Sequence, residues 1–203
     1  MNSCKTSKFS AAFKAAFPLT LPIMAGYIVL GFGFGLLLHS GGYSFVWAFF
    51  MSLTIYAGSM QYVAVGLLTG GASLISAALL TLMINARHLF YGISMLGKYR
   101  SLKFARPYLI FGLTDETYSL VCSTEPPEGI CKNLWYFFIT LLDQCYWIVG
   151  CVLGALFGTV VPINTDGVSF SMTALFLIIL VDNLKKRESR VPALLGLGLS
   201  LIC

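Results

Sequence analysis

Charge is what this chain has least of. Only 10% of its 203 residues are Asp, Glu, Lys or Arg, against about 25% in ordinary soluble domains. No acidic residue precedes Asp115, and between Ala15 and Leu96 the only formally charged side chain is Arg87. So few charges, clustered as they are, cannot cover the polar surface that a soluble protein of this size needs, which excludes a water-soluble fold. Histidine is scarce too, with His39 and His88 the whole supply. There is no His-Glu-x-x-His, no phosphate loop ending in Lys and no Gly-x-Ser-x-Gly. No catalytic residue, metal site or cofactor is nominated, and the chain reads as a non-enzyme. The cysteines (Cys4, Cys122, Cys131, Cys145, Cys151, Cys203) show no Cys-x-x-Cys pair or zinc spacing. Cys122 and Cys131 flank a polar loop, but unpaired thiols are the expectation.

What is abundant is apolar length. Hydrophobic residues make up 58% of the chain, and a membrane helix needs about 20 mainly apolar residues. The runs 15–38, 45–68, 73–96, 108–122, 134–157 and 168–184 are candidate helices, with a partial element over 191–203. They do not alternate as barrel strands would. The expected fold class is therefore an all-α polytopic integral membrane protein, a helical bundle with broken or re-entrant helices. It consists of a basic segment over 1–14 and one transmembrane domain over 15–203. The net charge of +5 is no nucleic-acid signature. Its basic residues gather at the ends of apolar runs (Lys5, Lys8, Lys14; Lys98, Arg100, Lys103, Arg106; Lys185, Lys186, Arg187, Arg190), where lipid headgroups and the positive-inside bias place them. A multi-pass protein of the cell membrane with a cytoplasmic N-terminus follows. If every candidate crosses, however, the basic group at 98–106 falls outside. A break at "IYAGSMQYVAVG" (55–66), where Gly58, Ser59 and Gln61 weaken the helix, would relieve that conflict.

Polar residues inside these runs are the functional candidates. In "LLTLMINARHLFYGIS" (79–94), Thr81, Asn85, His88 and Gly92 share one helical face, and Arg87 and Tyr91 form an i,i+4 pair beside it. A charge at mid-membrane costs about 2.5–3.5 kcal/mol on insertion scales, so this stripe should face protein or a watery cavity. Snorkelling of Arg87, or a fixed ion pair with Asn85 as helix glue, is the plainer alternative. In "FGLTDETYSLVC" (111–122), Asp115 sits at i,i+3 to Tyr118, with Glu116 on another face, and Thr114 or Asp115 is a possible N-cap. Carboxylates there can pair with Arg87, coordinate an ammonium or carry protons. Asp143 lies alone deep in the 134–157 run, whereas Asp182 reads as an interface residue. In "FPLTLPIMAGYIVLGFGFG" (17–35), Pro22 removes a helical hydrogen bond and Gly26 permits close approach, so that a kink could expose backbone carbonyls. A weak internal repeat is visible in "GFGFGLLLHS" (31–40) against "GCVLGALFGT" (150–159), each followed by a similar segment at 41–53 and 166–178.

The order of these motifs resembles the AzlC family, the large subunits of bacterial and archaeal branched-chain amino acid permeases and exporters. "FPLTLPIMAGYIVLGFGFG", "IYAGSMQYVAVGLL", "LMINARHLFYGIS", "GLTDETYSL" and "DGVSFSMTALFLIILVDN" carry the likeness, which spans residues 13 to about 190. The resemblance implies transport, as export, of leucine, isoleucine, valine or methionine, together with a small membrane subunit of the AzlD type. It puts Gly58, Ser59 and Gln61 in a first polar break, Asn85, Arg87, His88 and Tyr91 in a second, and Asp115 and Glu116 in a third. Family members usually continue through a longer hydrophobic C-terminal region, so a tail completed by the partner is one expectation. On the residues alone, a non-transporting assembly or channel subunit and a small-ion transporter are the alternatives.

Overall fold

The computed structural model describes residues 9–161 apart from 101, 103 and 104, together with scattered positions from 167 onward. The expected helix over 168–184, the partial element over 191–203, Asp182 and the Lys185–Arg190 group fall largely or wholly outside the described residues, as does most of 166–178, the later segment of the suggested repeat.

Among the described residues the fold is entirely helical. Helix α1 runs from Phe9 to Ser40. It starts before the run at 15 because Phe9 and Phe13, one turn apart, both pack edge-on against Phe138 of a later helix, at 4.5 and 5.5 Å between ring centroids. Pro18 and Pro22 lie inside α1 without ending it. The run over 45–68 is two helices, α2 (Phe45–Thr54) and α3 (Gly58–Thr69). The break falls at Ile55–Ala57, where Tyr56 adopts φ +43°, a left-handed conformation uncommon for a side-chain-bearing residue. Helix α4 (Leu74–Met95) opens on Ser73, whose side chain accepts the Ser76 N–H at 3.1 Å. The run over 108–122 is also broken, into α5 (Arg106–Phe111) and α6 (Asp115–Ser123). Helix α7 spans Lys132–Val160.

Three of the described helices, α1, α4 and α7, are long and apolar enough to cross a membrane. Helices α1 and α7 form the spine, with the largest interface among the described helices, and its closeness comes from glycine. A Cβ on Gly35 would stand 2.1 Å from the Cys151 carbonyl oxygen, and one on Gly154 would stand 2.0 Å from that of Phe32; on Gly31 and Gly150 it would come within 3.0 and 2.9 Å of the facing backbone. Backbones that touch in this way replace the hydrophobic drive that lipid does not supply. The two segments suggested as repeats, 31–40 and 150–159, thus pack on one another. Gly26 differs from the expectation. A Cβ there would meet nothing within 4 Å, because it faces away from α7 and the close approaches lie one and two turns further along.

Two apolar clusters fill the spine. One gathers Trp135, Tyr136 and Ile139 with Leu109 and Leu113, and the other Phe34, Tyr62 and Trp147 with Met51. Polar side chains tie the short helices to it. Tyr108 donates to Gln144 Oε1 (2.8 Å), and Gln144 Nε2 donates to the Leu53 carbonyl (3.2 Å) at the end of α2. Helix α4 is the exception, since its most apolar stretch buries no residue. The thiols of Cys122, Cys145 and Cys151 are free. Cys131 is disulfide-bonded, contrary to the expectation of unpaired thiols. Since Cys122 is free, the bridge is not the loop pairing that sequence spacing suggested; proximity in a fold is not readable from spacing alone.

Candidate functional site

Both broken runs aim a helix start at one place. The first turns of α3 and α6 line a cleft whose other walls come from Tyr27 and Leu30 of α1, Arg87 and His88 of α4, and Trp147 of α7. Counting its mouth and the open space in front of it, it encloses about 460 Å³. Tyr27, Arg87 and Trp147 each sit near the midpoint of their helices, so the cleft lies at mid-height.

The two helix starts differ in charge. Helix α6 carries Asp115 and Glu116 in its first turn and is capped by Thr114, whose Oγ1 accepts the Thr117 N–H at 3.2 Å. Carboxylates at an N-terminus are stabilised by the helix dipole. Helix α3 has no acidic residue in its first turn, and its N-cap, Ala57, offers no side-chain acceptor. Its first amides have no intrahelical partner, as at any helix start, and Gly58 and Ser59, which carry two of them, line the cleft.

Arg87 spans the gap. Its guanidinium donates to Asp115 Oδ2 and, at 2.6 Å, to Ser59 Oγ. One side chain of α4 therefore fastens the start of α3 to the start of α6. Tyr91, one turn on, donates to Asp115 Oδ1 at 2.6 Å and stacks on Tyr118, 4.4 Å between centroids. Both oxygens of Asp115 are thus occupied. Its pairing with Arg87 is the fixed-ion-pair alternative that the sequence left open, and it leaves Glu116 as the other carboxylate at the cleft.

Glu116 is held from behind. The Tyr27 hydroxyl donates to Glu116 Oε2 at 2.9 Å and also meets Thr114 Oγ1. Thr114 Oγ1 donates to Thr117 Oγ1 at 3.0 Å, and Thr117 Oγ1 donates to Asp143 Oδ2 at 2.7 Å. A continuous row of polar atoms thus runs from the cleft into α7.

Of the residues expected from sequence, Gly58, Ser59, Arg87, His88, Asp115 and Glu116 line the cleft. Tyr91 and Tyr118 support Asp115 from one side. Gln61 is fully buried beneath the cleft and accepts from Trp147 Nε1 at 2.7 Å. Asn85 stands one turn before His88 and does not line it. Asp143 is fully buried behind the lining, with no direct access to the cleft. Pro22 and Gly26 lie outside it as well, because α1 remains helical through both. Sequence reasoning missed Tyr27, Tyr56, Thr117 and Trp147. Only Thr117 left a trace, three residues after Thr114 in a capping pattern.

Comparison with known proteins agrees with this architecture. The profile of the AzlC protein family matches residues 22–161. A Bacillus subtilis protein, the branched-chain amino acid transport protein AzlC, is 46% identical over 197 residues, covering 97% of this chain and 78% of the relative. An uncharacterized membrane protein of Haemophilus influenzae is 44% identical, with 97% and 81% covered. The inner membrane protein YgaZ of Escherichia coli is 31% identical, with 89% and 76% covered. No solved structure matches the chain significantly. With a family profile over most of its length and relatives aligned over 89–97% of it, this chain is a membrane transport protein that belongs to the AzlC family.

Proposed function

We propose that the chain carries branched-chain and related apolar amino acids out of the cell across the plasma membrane, binding each molecule in the cleft between α3 and α6. The observation that carries this reading is the pairing of unlike helix starts on one mid-height cavity. The α-carboxylate of the substrate lies at the uncapped amides of Gly58 and Ser59, where the dipole of α3 and the Arg87 guanidinium favour an anion. The α-ammonium lies against Glu116, which has no ion-pair partner among the described residues, whereas Arg87 pairs with Asp115. The apolar side chain points to Leu30, Tyr56 and Trp147. His88, beside Arg87, sets the width of the anion end.

The Arg87–Asp115 pair serves as a clamp. It holds the two breaks in register, and its loosening lets α3 and α6 part, so substrate passes between two packed bodies as in other carriers with broken helices. No step of this scheme makes or breaks a covalent bond of the substrate, in keeping with relatives that are transport proteins. The uncovered apolar face of α4 is where a small subunit of the AzlD type docks, and the N-terminus lies on the cytoplasmic side.

Counterflow in proteoliposomes tests the reading. Vesicles loaded with unlabelled leucine and holding this chain with its small subunit take up labelled leucine saturably, and Glu116→Gln abolishes that uptake. Absence of saturable uptake by the unaltered complex, or full uptake by Glu116→Gln at equal expression, overturns it.

A further inference from the structure

The row from Glu116 to Asp143 contains four hydrogen-bonded contacts: Glu116 to Tyr27, Tyr27 to Thr114, Thr114 to Thr117, and Thr117 to Asp143. Its three hydroxyls supply one proton each. If both carboxylates are ionised, Tyr27 donates to Glu116, Thr114 to Thr117 and Thr117 to Asp143. The oxygens of Tyr27 and Thr114 then face each other with no hydrogen between them. A fourth proton completes the row, and only the carboxyls at its ends can carry it. Two arrangements then satisfy every group. In one, Glu116 is protonated and each hydroxyl donates toward Asp143; in the other, Asp143 is protonated and each donates toward Glu116. Thr114 Oγ1 accepts the Thr117 N–H and keeps room for one further acceptance and one donation in both.

We propose that Glu116 and Asp143 share a single proton across the hydroxyls of Tyr27, Thr114 and Thr117, and that a cationic group arriving in the cleft beside Glu116 drives that proton to Asp143. In the transfer the Glu116 O–H bond breaks and an Asp143 O–H bond forms. Each hydroxyl passes on one proton and receives another, so the row conserves protons while one negative charge moves from Asp143 to Glu116. The cleft end is open to ligand, whereas the Asp143 end is fully buried. Among the described residues Asp143 Oδ1 has no hydrogen-bond partner, and the Tyr56 hydroxyl lies close to Thr117 and Asp143. Among the described residues, the other titratable groups facing the row are Asp115 and Arg87 beside Glu116, and Tyr56 and Tyr108 beside Asp143. Arg87 is committed to Asp115, and among the described residues no cation forms an ion pair with Glu116 or Asp143. Ligand binding would thereby convert a neutral lining into an ionised one only when a positive charge is present.

The ligand-driven half of this inference rests on the amino acid reading above; the shared proton does not. Infrared spectroscopy of the full chain in lipid nanodiscs separates them. Without ligand, the protein shows a protonated-carboxyl C=O band that Glu116→Gln removes. Asp143→Asn removes it too, because the Asn amide donates to Thr117 and satisfies the row with Glu116 ionised. Adding leucine gives a difference spectrum with that band lost and a second, Asp143-dependent band gained. Thr117→Val binds leucine by calorimetry but shows neither change, and Thr117→Ser restores both. A ligand-free spectrum with no carboxyl band sensitive to either end substitution overturns the proposal, as does an unchanged difference spectrum in Thr117→Val. If Thr117→Val does not fold, the end substitutions and Thr117→Ser decide alone. If the unaltered protein binds no leucine, the function reading fails, and the ligand-free band still decides the shared proton.

Discussion

Replacing Gly154 with alanine puts a methyl carbon 2.0 Å from the Phe32 carbonyl oxygen and 2.7 Å from the Phe32 Cα. The obstructing atoms are helix backbone, which cannot swing aside as a side-chain tip can. Ordinary contact begins near 3.4 Å, so α1 must retreat by about 1.4 Å at that point. Radial gaps of about 0.5–1 Å already forfeit a quarter to a half of the dispersion well. The cost should therefore reach the upper part of the overpacking range of about 1–3 kcal/mol. Gly26→Ala on the same spine is the control. Its Cβ meets nothing within 4 Å, and alanine favours a helix over glycine by about 0.5–1 kcal/mol. The two glycine-to-alanine changes should thus have opposite signs. Unfolding by SDS in mixed micelles, followed through the buried Trp135 and Trp147, measures both. A Gly154→Ala protein as stable as the unaltered one, or a Gly26→Ala protein weakened equally, would refute the claim that glycine sets the spacing of α1 and α7.

Arg87→Ala leaves Asp115 with only Tyr91 and should cost about 1–3 kcal/mol, while Arg87→Ala combined with Asp115→Ala recovers part of it; a double-mutant cycle with no coupling contradicts the clamp. Gln61→Leu removes the acceptor of the buried Trp147 N–H, bonded at 2.7 Å, and should cost about 1–3 kcal/mol, with a shift in tryptophan emission as a second readout. At the loop end of the spine, the Lys98 hydrogen bond and charge hold the exposed Glu125 carboxyl below its ordinary range. The sign follows from the lowered value: the pair adds stability above the unfolded carboxylate pKa of about 4.3 and loses it as pH falls through the folded one. With Glu125 two-thirds exposed, the effect should be small and vanish in salt, so acid titration of Glu125→Gln against the unaltered protein checks both sign and size.

Much of this architecture could be read from residue chemistry. Apolar run length located α1, α4 and α7, because lipid demands it of any spanning helix. The isolation of Arg87 in an otherwise uncharged stretch pointed to the cleft, since a charge there needs a partner, and Asp115 supplies it. The breaks were half legible. Gly58, Ser59 and Gln61 pointed to the right stretch, yet the chain bends just before them at Tyr56, a residue whose type gives no hint of a left-handed backbone. Gly26 misled because a glycine shows that close approach is possible without showing which helix face meets a neighbour. Asp143 was noticed as an isolated carboxylate, but its link to Glu116 depends on Tyr27 and Thr117, which come from two other helices. Such tertiary pairings leave no local pattern.

The most direct test of the cleft as substrate site is protection of an introduced thiol. In a Cys122→Ser, Cys145→Ser background, Ser59→Cys places a sulfhydryl at the start of α3 on the cleft wall. The account predicts that a small water-soluble methanethiosulfonate reagent modifies it and that saturating leucine slows the reaction, while alanine-sized or acidic amino acids protect less. Modification at the same rate with and without leucine would contradict it.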